Sequence, residues 1–452
     1  MIAVITVMRM LAKGGSRRER IRGRLMTAGA ALATFLFCVA VSLLQAWDAR
    51  VDAVFSDEGR ALTSLGLALL ILPAMAFLYQ VSRLAGATRE RRLAALRLAG
   101  ATPRHVRLLG AYESGWRAAL GGLIGIAVYL LIDLALSWPL PLNRPLLMPA
   151  ILAVVAFSGT YSGLKAGRHV VSSPLGVVRR AQPTGPRVLD LVLVAAGLGA
   201  FATVGTNEGR DFLGEYVELI VPYGAPLIIA IGMVLLLFGL VLATAWLIRA
   251  AARWVGRRAR TAETLLAARL VEADPRGWAR ALSVVGLTVF FGSMEGANQG
   301  IIFSHGADVV PSYFMTAYLL IDIALLIALA TSAAALVVHQ AEALLDHRRS
   351  FAALAGAGVP VPALGRVLIR QALITSIPVC LIAALTGMGV VLIPVFLVPE
   401  ASVLQELPKA ILWGTTRAIL TVLIGVLTAL LVARAARPLL RRTLHPDELR
   451  AE

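Results

Sequence analysis

The sequence predicts an all-α integral membrane protein with ten transmembrane helices, and three observations carry that prediction. The chain has 452 residues, of which 58% are hydrophobic and only 15% charged, a balance that water-soluble domains do not show. Its apolar residues gather in long runs of about 20, the length that crosses a hydrocarbon core as helix. Its basic residues, in excess by a net charge of +17, cluster between alternate runs, as the positive-inside rule requires.

The ten runs are Leu25–Trp47, Ala61–Leu84, Ala111–Leu136, Leu146–Leu164, Val188–Gly205, Ile220–Ile248, Ala281–Gly296, Tyr313–Val338, Val367–Leu397 and Ala410–Val432. The seventh is short and the ninth long, differences that tilt or interfacial ends absorb. With the N-terminus inside, 37 of the 43 Lys and Arg fall in inner segments. The outer six are Arg50, Arg60, Arg144, Arg210, Lys409 and Arg417. An odd number of spans would invert the later segments and mix the two groups, so both termini are expected in the cytoplasm. The basic excess therefore reads as a topology signal with attraction to anionic membrane lipid. Nucleic acid is not an expected partner, because the Arg residues are dispersed over six membrane-flanking segments.

The first run resembles a secretory leader only superficially. It is too long for a leader's apolar core, and its basic stretch stands far from the start. An offset of 258 residues also maps Arg18 and Arg22 onto Arg276 and Arg280, just before the seventh run. The run is therefore a duplicated structural element. The two cysteines, Cys38 and Cys380, each lie inside an apolar run without ligand-type neighbours. This argues against a disulfide framework or a metal site and for small buried side chains.

The spans group as four, two and four. Residues 1–180 form a first half, 181–252 a linking pair and 253–452 a second half, with Pro183–Pro186 and the basic stretch Arg253–Arg260 at the joints. Leu265–Val271 reads as a surface helix before Asp274-Pro275 turns the chain into the next span. Ile5–Leu11 is its counterpart. The longest outer loops, Asp48–Arg60 and Ala297–Ser312, are too small for a folded extracellular domain.

The same offset relates two inner segments, 89–107 and 346–366. It pairs Arg91 with Arg349, Leu93 with Phe351, Leu96 with Leu354 and Gly100 with Gly358. In the first copy Leu93 and Leu96 stand at i,i+3 on one helical face with Arg91, Arg92 and Arg97 around them. Gly100 is placed to end that helix, and Thr102-Pro103 to cap and start the next. Each copy is thus expected to be a short amphipathic helix between two spans, its apolar pair exposed for a groove on a partner.

The string Arg92-Leu93-Ala94-Ala95-Leu96-Arg97-Leu98-Ala99-Gly100-Ala101-Thr102 resembles the signature of the FtsX-like permeases, the membrane subunits of MacB/FtsX-type (type VII) ABC transporters. Pro174–Arg180 resembles that family's tail after the fourth span, and the ten-span arrangement is similar to the BceB-like branch. The resemblance implies two duplicated FtsX-like four-helix halves in a bacterial cytoplasmic membrane. It further implies ATPase-coupling roles for Arg91, Arg92, Leu93, Leu96, Arg97, Gly100 and Thr102, and for Arg349, Phe351, Leu354 and Gly358. Two departures stand out. No large extracellular domain follows the first or the seventh span. In the second copy Ala355 replaces the Arg and Pro360 the Thr, so the two ATPase contacts are expected to be non-equivalent.

No G-x-x-x-x-G-K-[ST] string occurs in the sequence, so the chain has no P-loop of its own. The resemblance places ATP and Mg in a cytoplasmic ABC ATPase, two copies per permease. No hydrolase constellation or metal-ligand spacing is present, and no catalytic residue or cofactor is assigned to this chain. Asp133, Asp190, Asp322, Glu113, Glu295 and His339 lie in or near spans. Asp322 reads as the deepest and is the candidate intramembrane functional residue. Gly121/Gly125, Gly159/Gly163 and Gly292/Gly296 carry the GxxxG spacing that lets helices approach closely.

Three functions are compatible with these residues. The first is an ABC permease that exports or extracts an amphipathic peptide, antibiotic or lipid. The second is a mechanotransmitting permease that regulates a cell-wall hydrolase or a sensor kinase without moving cargo. The third is an ion-coupled secondary transporter, for which Asp322 would be the carboxylate.

Overall fold

The computed structural model describes residues 17–44, 102–135, 144–172, 189–206, 224–304, 312–397 and 401–438. Within them the chain is all helical, with no strand: α1 Arg17–Leu44, α2 Pro103–Ala135, α3 Arg144–Ser172, α4 Leu189–Gly205, α5 Gly224–Arg257, α6 Ala262–Ala273, α7 Pro275–Ser304, α8 Ser312–Asp346, α9 Arg348–Gly356, α10 Val361–Leu397 and α11 Ala401–Ala435. Six segments among the described residues are long and apolar enough to cross a membrane: Leu108–Leu134, Ile231–Arg257, Pro275–Phe303, Ile321–Ala341, Val361–Leu397 and Ile411–Ala435. Shorter apolar stretches run through α1, α3 and α4. The second expected span, Ala61–Leu84, and the Ile5–Leu11 helix lie outside the described residues.

The described helices form two compact units. The first holds α1, α2 and α3; the second holds α4 to α11, apart from residues 319–324 of α8, which cluster with the first. The linking pair α4 and α5 packs with α10 of the second half.

In the first unit all three helices pack on one another, and small residues set how closely. A methyl group on Gly121 would strike the Thr27 carbonyl of α1, and one on Gly125 the Ala31 carbonyl. One turn further along α2, a cluster of Cys38, Tyr129 and Ile151, flanked by Phe35 and Met148, fills the space the small residues leave. The GxxxG spacing is thus used for close backbone approach, the device by which helices associate where no hydrophobic drive separates protein from lipid.

In the second unit α7 is the central helix, packed by α5, α10 and α11. Its span is 89% buried, although it is the least apolar of the six. Burial and polarity have one cause, because hydroxyl and amide side chains need partners that lipid cannot supply. Thr288 donates to the Val284 carbonyl at 3.0 Å. Ser293 and Thr421 share a hydrogen bond of 3.0 Å across α7 and α11. Conversely, α11 is only 28% buried and turns Leu412, Leu420, Leu423, Leu427 and Leu431 outward, the face expected toward acyl chains.

Local chemistry fixes the helix ends. Asp274 accepts a hydrogen bond from the Gly277 N–H at 2.9 Å, so it caps α7 while Pro275 fills the first helical position. Thr261 accepts from the Thr264 N–H at 3.3 Å and caps α6.

Candidate functional site

The second copy of the duplicated segment is α9. It continues α8 almost without a break, because the His347 N–H donates to the Ala343 carbonyl at 3.1 Å and the Phe351 N–H to the His347 carbonyl at 3.0 Å. Arg349 lies in its first turn. Its far end is a Schellman turn. The Val359 N–H donates to the Leu354 carbonyl at 3.0 Å, and the Gly358 N–H to the Ala355 carbonyl at 3.0 Å. Gly358 sits at φ +90°, the left-handed position that closes such a turn and that a side chain adopts only with strain.

The apolar face of α9 does not point outward as the sequence suggests. Phe351 is 3% exposed and packs with Leu344, Leu364, Leu368 and Ala436, while Leu354 and Val359 lie against the same cluster. The expected exposed apolar pair of the second copy is therefore turned inward, and it fastens α9 to α8, α10 and the residue following α11. The reason is geometric: an i,i+3 pair defines a face, and here that face meets the chain's own helices. Among the described residues of α9 and the turn that follows it, those left exposed are small: Ser350, Ala353, Gly356, Ala357 and Gly358. Beneath it lies a cavity of about 140 Å³ lined by Trp278, His339, Leu344, His347, Phe351 and Gln371, with the Trp278 and His339 rings edge-on at 4.9 Å.

α6 braces this end of the bundle. Ala267, Ala268 and Val271 are buried, against α5 and α10. Its two carboxylates reach opposite ways. Glu263 binds Arg366 at 2.6 Å and Arg370 at 3.0 Å on α10. Glu272 binds Arg253 of α5 at 2.9 Å, and Arg269 at 2.8 Å. The hydrogen bond from Arg366 is the main cause that holds the Glu263 carboxyl below its ordinary value, and that from Arg253 does the same for Glu272. The sequence reading missed this network. Its signal was Glu263 and Glu272, acidic residues at the two ends of the surface helix in a basic inner segment.

Of the first copy, Arg91, Arg92, Leu93, Leu96, Arg97 and Gly100 lie outside the described residues. Thr102 is described and exposed, and its hydroxyl accepts from the His105 N–H at 3.3 Å. It thus caps α2 with Pro103 in the first turn. The second copy has Pro360 at the equivalent point, which offers no hydroxyl; there the Ala363 N–H turns to the Pro360 carbonyl at 2.9 Å.

Within the spans, Glu295 is the notable carboxylate. It is 5% exposed, accepts from the Gln299 amide at 3.1 Å and faces Arg417 of α11 at 4.0 Å. Arg417, which the sequence places in an outer segment, therefore lies inside the bundle. Asp322 is half-buried and lies on α8, in a segment long and apolar enough to cross a membrane. Among the described residues no cluster of three or more His, Cys, Asp or Glu is placed to hold a metal ion.

Residues 64–171 match the family model of the FtsX-like permease C-terminal domain. The chain carries an FtsX-like permease domain. That domain takes in the first signature string, Thr102, α2 and nearly all of α3, while α6 and α9 lie beyond its matched residues. No curated protein matches the chain. Its several long apolar helices make the chain a multi-pass membrane protein.

Proposed function

We propose that the chain is the membrane subunit of an ABC transporter in a bacterial cytoplasmic membrane, driven by a separate cytoplasmic ATPase dimer. The observation that carries this is the signature string Arg92–Thr102 inside the matched domain, together with its second copy, α9, joined to a span through continuous helical hydrogen bonding. A helix so joined transmits displacement as a lever. An ATPase that closes on ATP and pushes both copies would move α8 and α10 as rigid elements, a shear or hinge of membrane helices. ATP and Mg belong to the partner, since this sequence has no phosphate-cradling loop.

The cargo proposed is an amphipathic peptide, antibiotic or lipid taken laterally from the membrane. Two features support it: outer loops too short to fold as a capture domain, and broad apolar faces on α2 and α11 open toward lipid.

Purification of the tagged chain from its native membrane in mild detergent tests the partner. Wild type should recover a P-loop ATPase, and Leu96→Glu combined with Ala353→Glu should lose it. Absence of any ATPase with wild type would end the proposal. Stimulation of the recovered ATPase by amphipathic peptides in nanodiscs would support transport. ATPase activity indifferent to every such compound would favour the mechanotransmitting reading.

A further inference from the structure

The basic end of α5 carries a groove of about 400 Å³ lined by Trp246, Arg249, Ala250, Arg253, Trp254 and Arg257. These residues recur every three or four positions, so they share one side of the helix. The same side continues toward the other end of α5 as Leu242, Phe238, Val234 and Ile231, each at least 45% exposed. Ile231 to Leu242 spans about 16 Å at helical rise, which is about half of a hydrocarbon core, one leaflet deep. One helix face therefore offers an acyl-length apolar track, then a tryptophan, then three guanidinium groups.

Among the described residues the charges on this face are not balanced. The acidic neighbour is Glu272 of α6, which already serves both Arg253 and Arg269. Arg258 lies over the Trp254 ring at 4.4 Å. Arg249 and Arg257 have no acidic partner among the described residues, and the Arg249 Nε is buried without a hydrogen-bond acceptor. A buried guanidinium nitrogen without an acceptor is costly, and phosphate is the acceptor whose geometry matches that fork. Trp246 and the exposed Trp254 are the side chains that settle at the headgroup level of a bilayer. We infer that this groove binds the phosphate of one anionic phospholipid, whose acyl chain runs along Leu242, Phe238 and Val234. The site stands on α5 and α6 alone, so it does not depend on the ATPase partner proposed above.

Native mass spectrometry of the delipidated full chain, titrated with phosphatidylglycerol or with phosphatidylcholine of the same acyl chains, tests this. The wild type should retain one phosphatidylglycerol more tightly than phosphatidylcholine. R249Q/R257Q should weaken that retention about tenfold or more while leaving phosphatidylcholine binding unchanged. If the double variant does not fold, R257Q alone, at an exposed position, should reduce the preference. Equal retention of both lipids by wild type, or an undiminished preference in the variants, would overturn the site. So would full displacement of phosphatidylglycerol by millimolar inorganic phosphate, which would mark a soluble-anion site instead.

Discussion

Glu263 and Glu295 show two different uses of a carboxylate. Glu263 ties α6 to α10 through Arg366 and Arg370, and its carboxyl is held below the ordinary 4.5. A depressed carboxyl contributes stability above its unfolded value and loses it as pH falls through the folded one. Wild-type thermal stability in detergent should therefore fall as pH drops below about 4.5, and Glu263→Gln should flatten that part of the profile. An identical acid limb in both proteins would show that the strap is not formed. Glu295, by contrast, faces Arg417 inside the bundle. Glu295→Gln removes the carboxylate that faces Arg417 and should cost about 2 kcal/mol, less than the roughly 3–5 kcal/mol of a fully buried pair because Arg417 is 26% exposed. Glu295→Leu with Arg417→Met should recover most of that loss. Denaturant titration of the two variants separates these outcomes.

At the scale of elements, α9 owes its position to one aromatic side chain. Phe351→Ala removes the centre of the cluster with Leu344, Leu364 and Leu368 and should destabilise by about 3 kcal/mol. It should also release α9 to protease before the rest of the chain unfolds. Close helix approach gives a second contrast. Gly125→Val would push α1 from α2 against the Ala31 carbonyl and should lower the melting temperature. Gly199→Ala on α4 meets nothing within 4 Å, so the same kind of change should stabilise by up to about 1 kcal/mol through helix propensity. Such contrasts mark where the sequence was legible. Thr102-Pro103, Asp274-Pro275 and Gly358 declared helix ends because capping is chemistry between near neighbours in the chain. The direction of Phe351 was not legible, since an i,i+3 pair specifies a face without naming what covers it. Arg417 misled for a related reason: its partner Glu295 is on another helix, and charge placement along the chain treats every arginine as a mark of the membrane edge. The Gly121/Gly125 pair takes its meaning from Thr27, Ala30 and Ala31 on α1, which face it from another helix.

At the scale of the whole molecule, the second duplicated segment and the buried central helix α7 belong to one compact unit. α7 gathers the polar side chains that lipid would reject, and α11 presents leucines outward. α6 and α9 brace one end of the second unit. Force applied there has rigid paths into α8 and α10 and little slack apart from the cavity under α9, which has room for about four waters. The two joints differ: Thr102 caps its helix with a hydroxyl, and Pro360 has none to offer. The measurement that tests the coupling role of α9 most directly is photo-crosslinking in the native membrane, with a benzoylphenylalanine placed at exposed Ala353 and, as control, at buried Ala363. An adduct to a P-loop ATPase from position 353 and none from 363 is the predicted result. No ATPase adduct from 353, while the chain remains folded and inserted, would contradict α9 as a coupling helix.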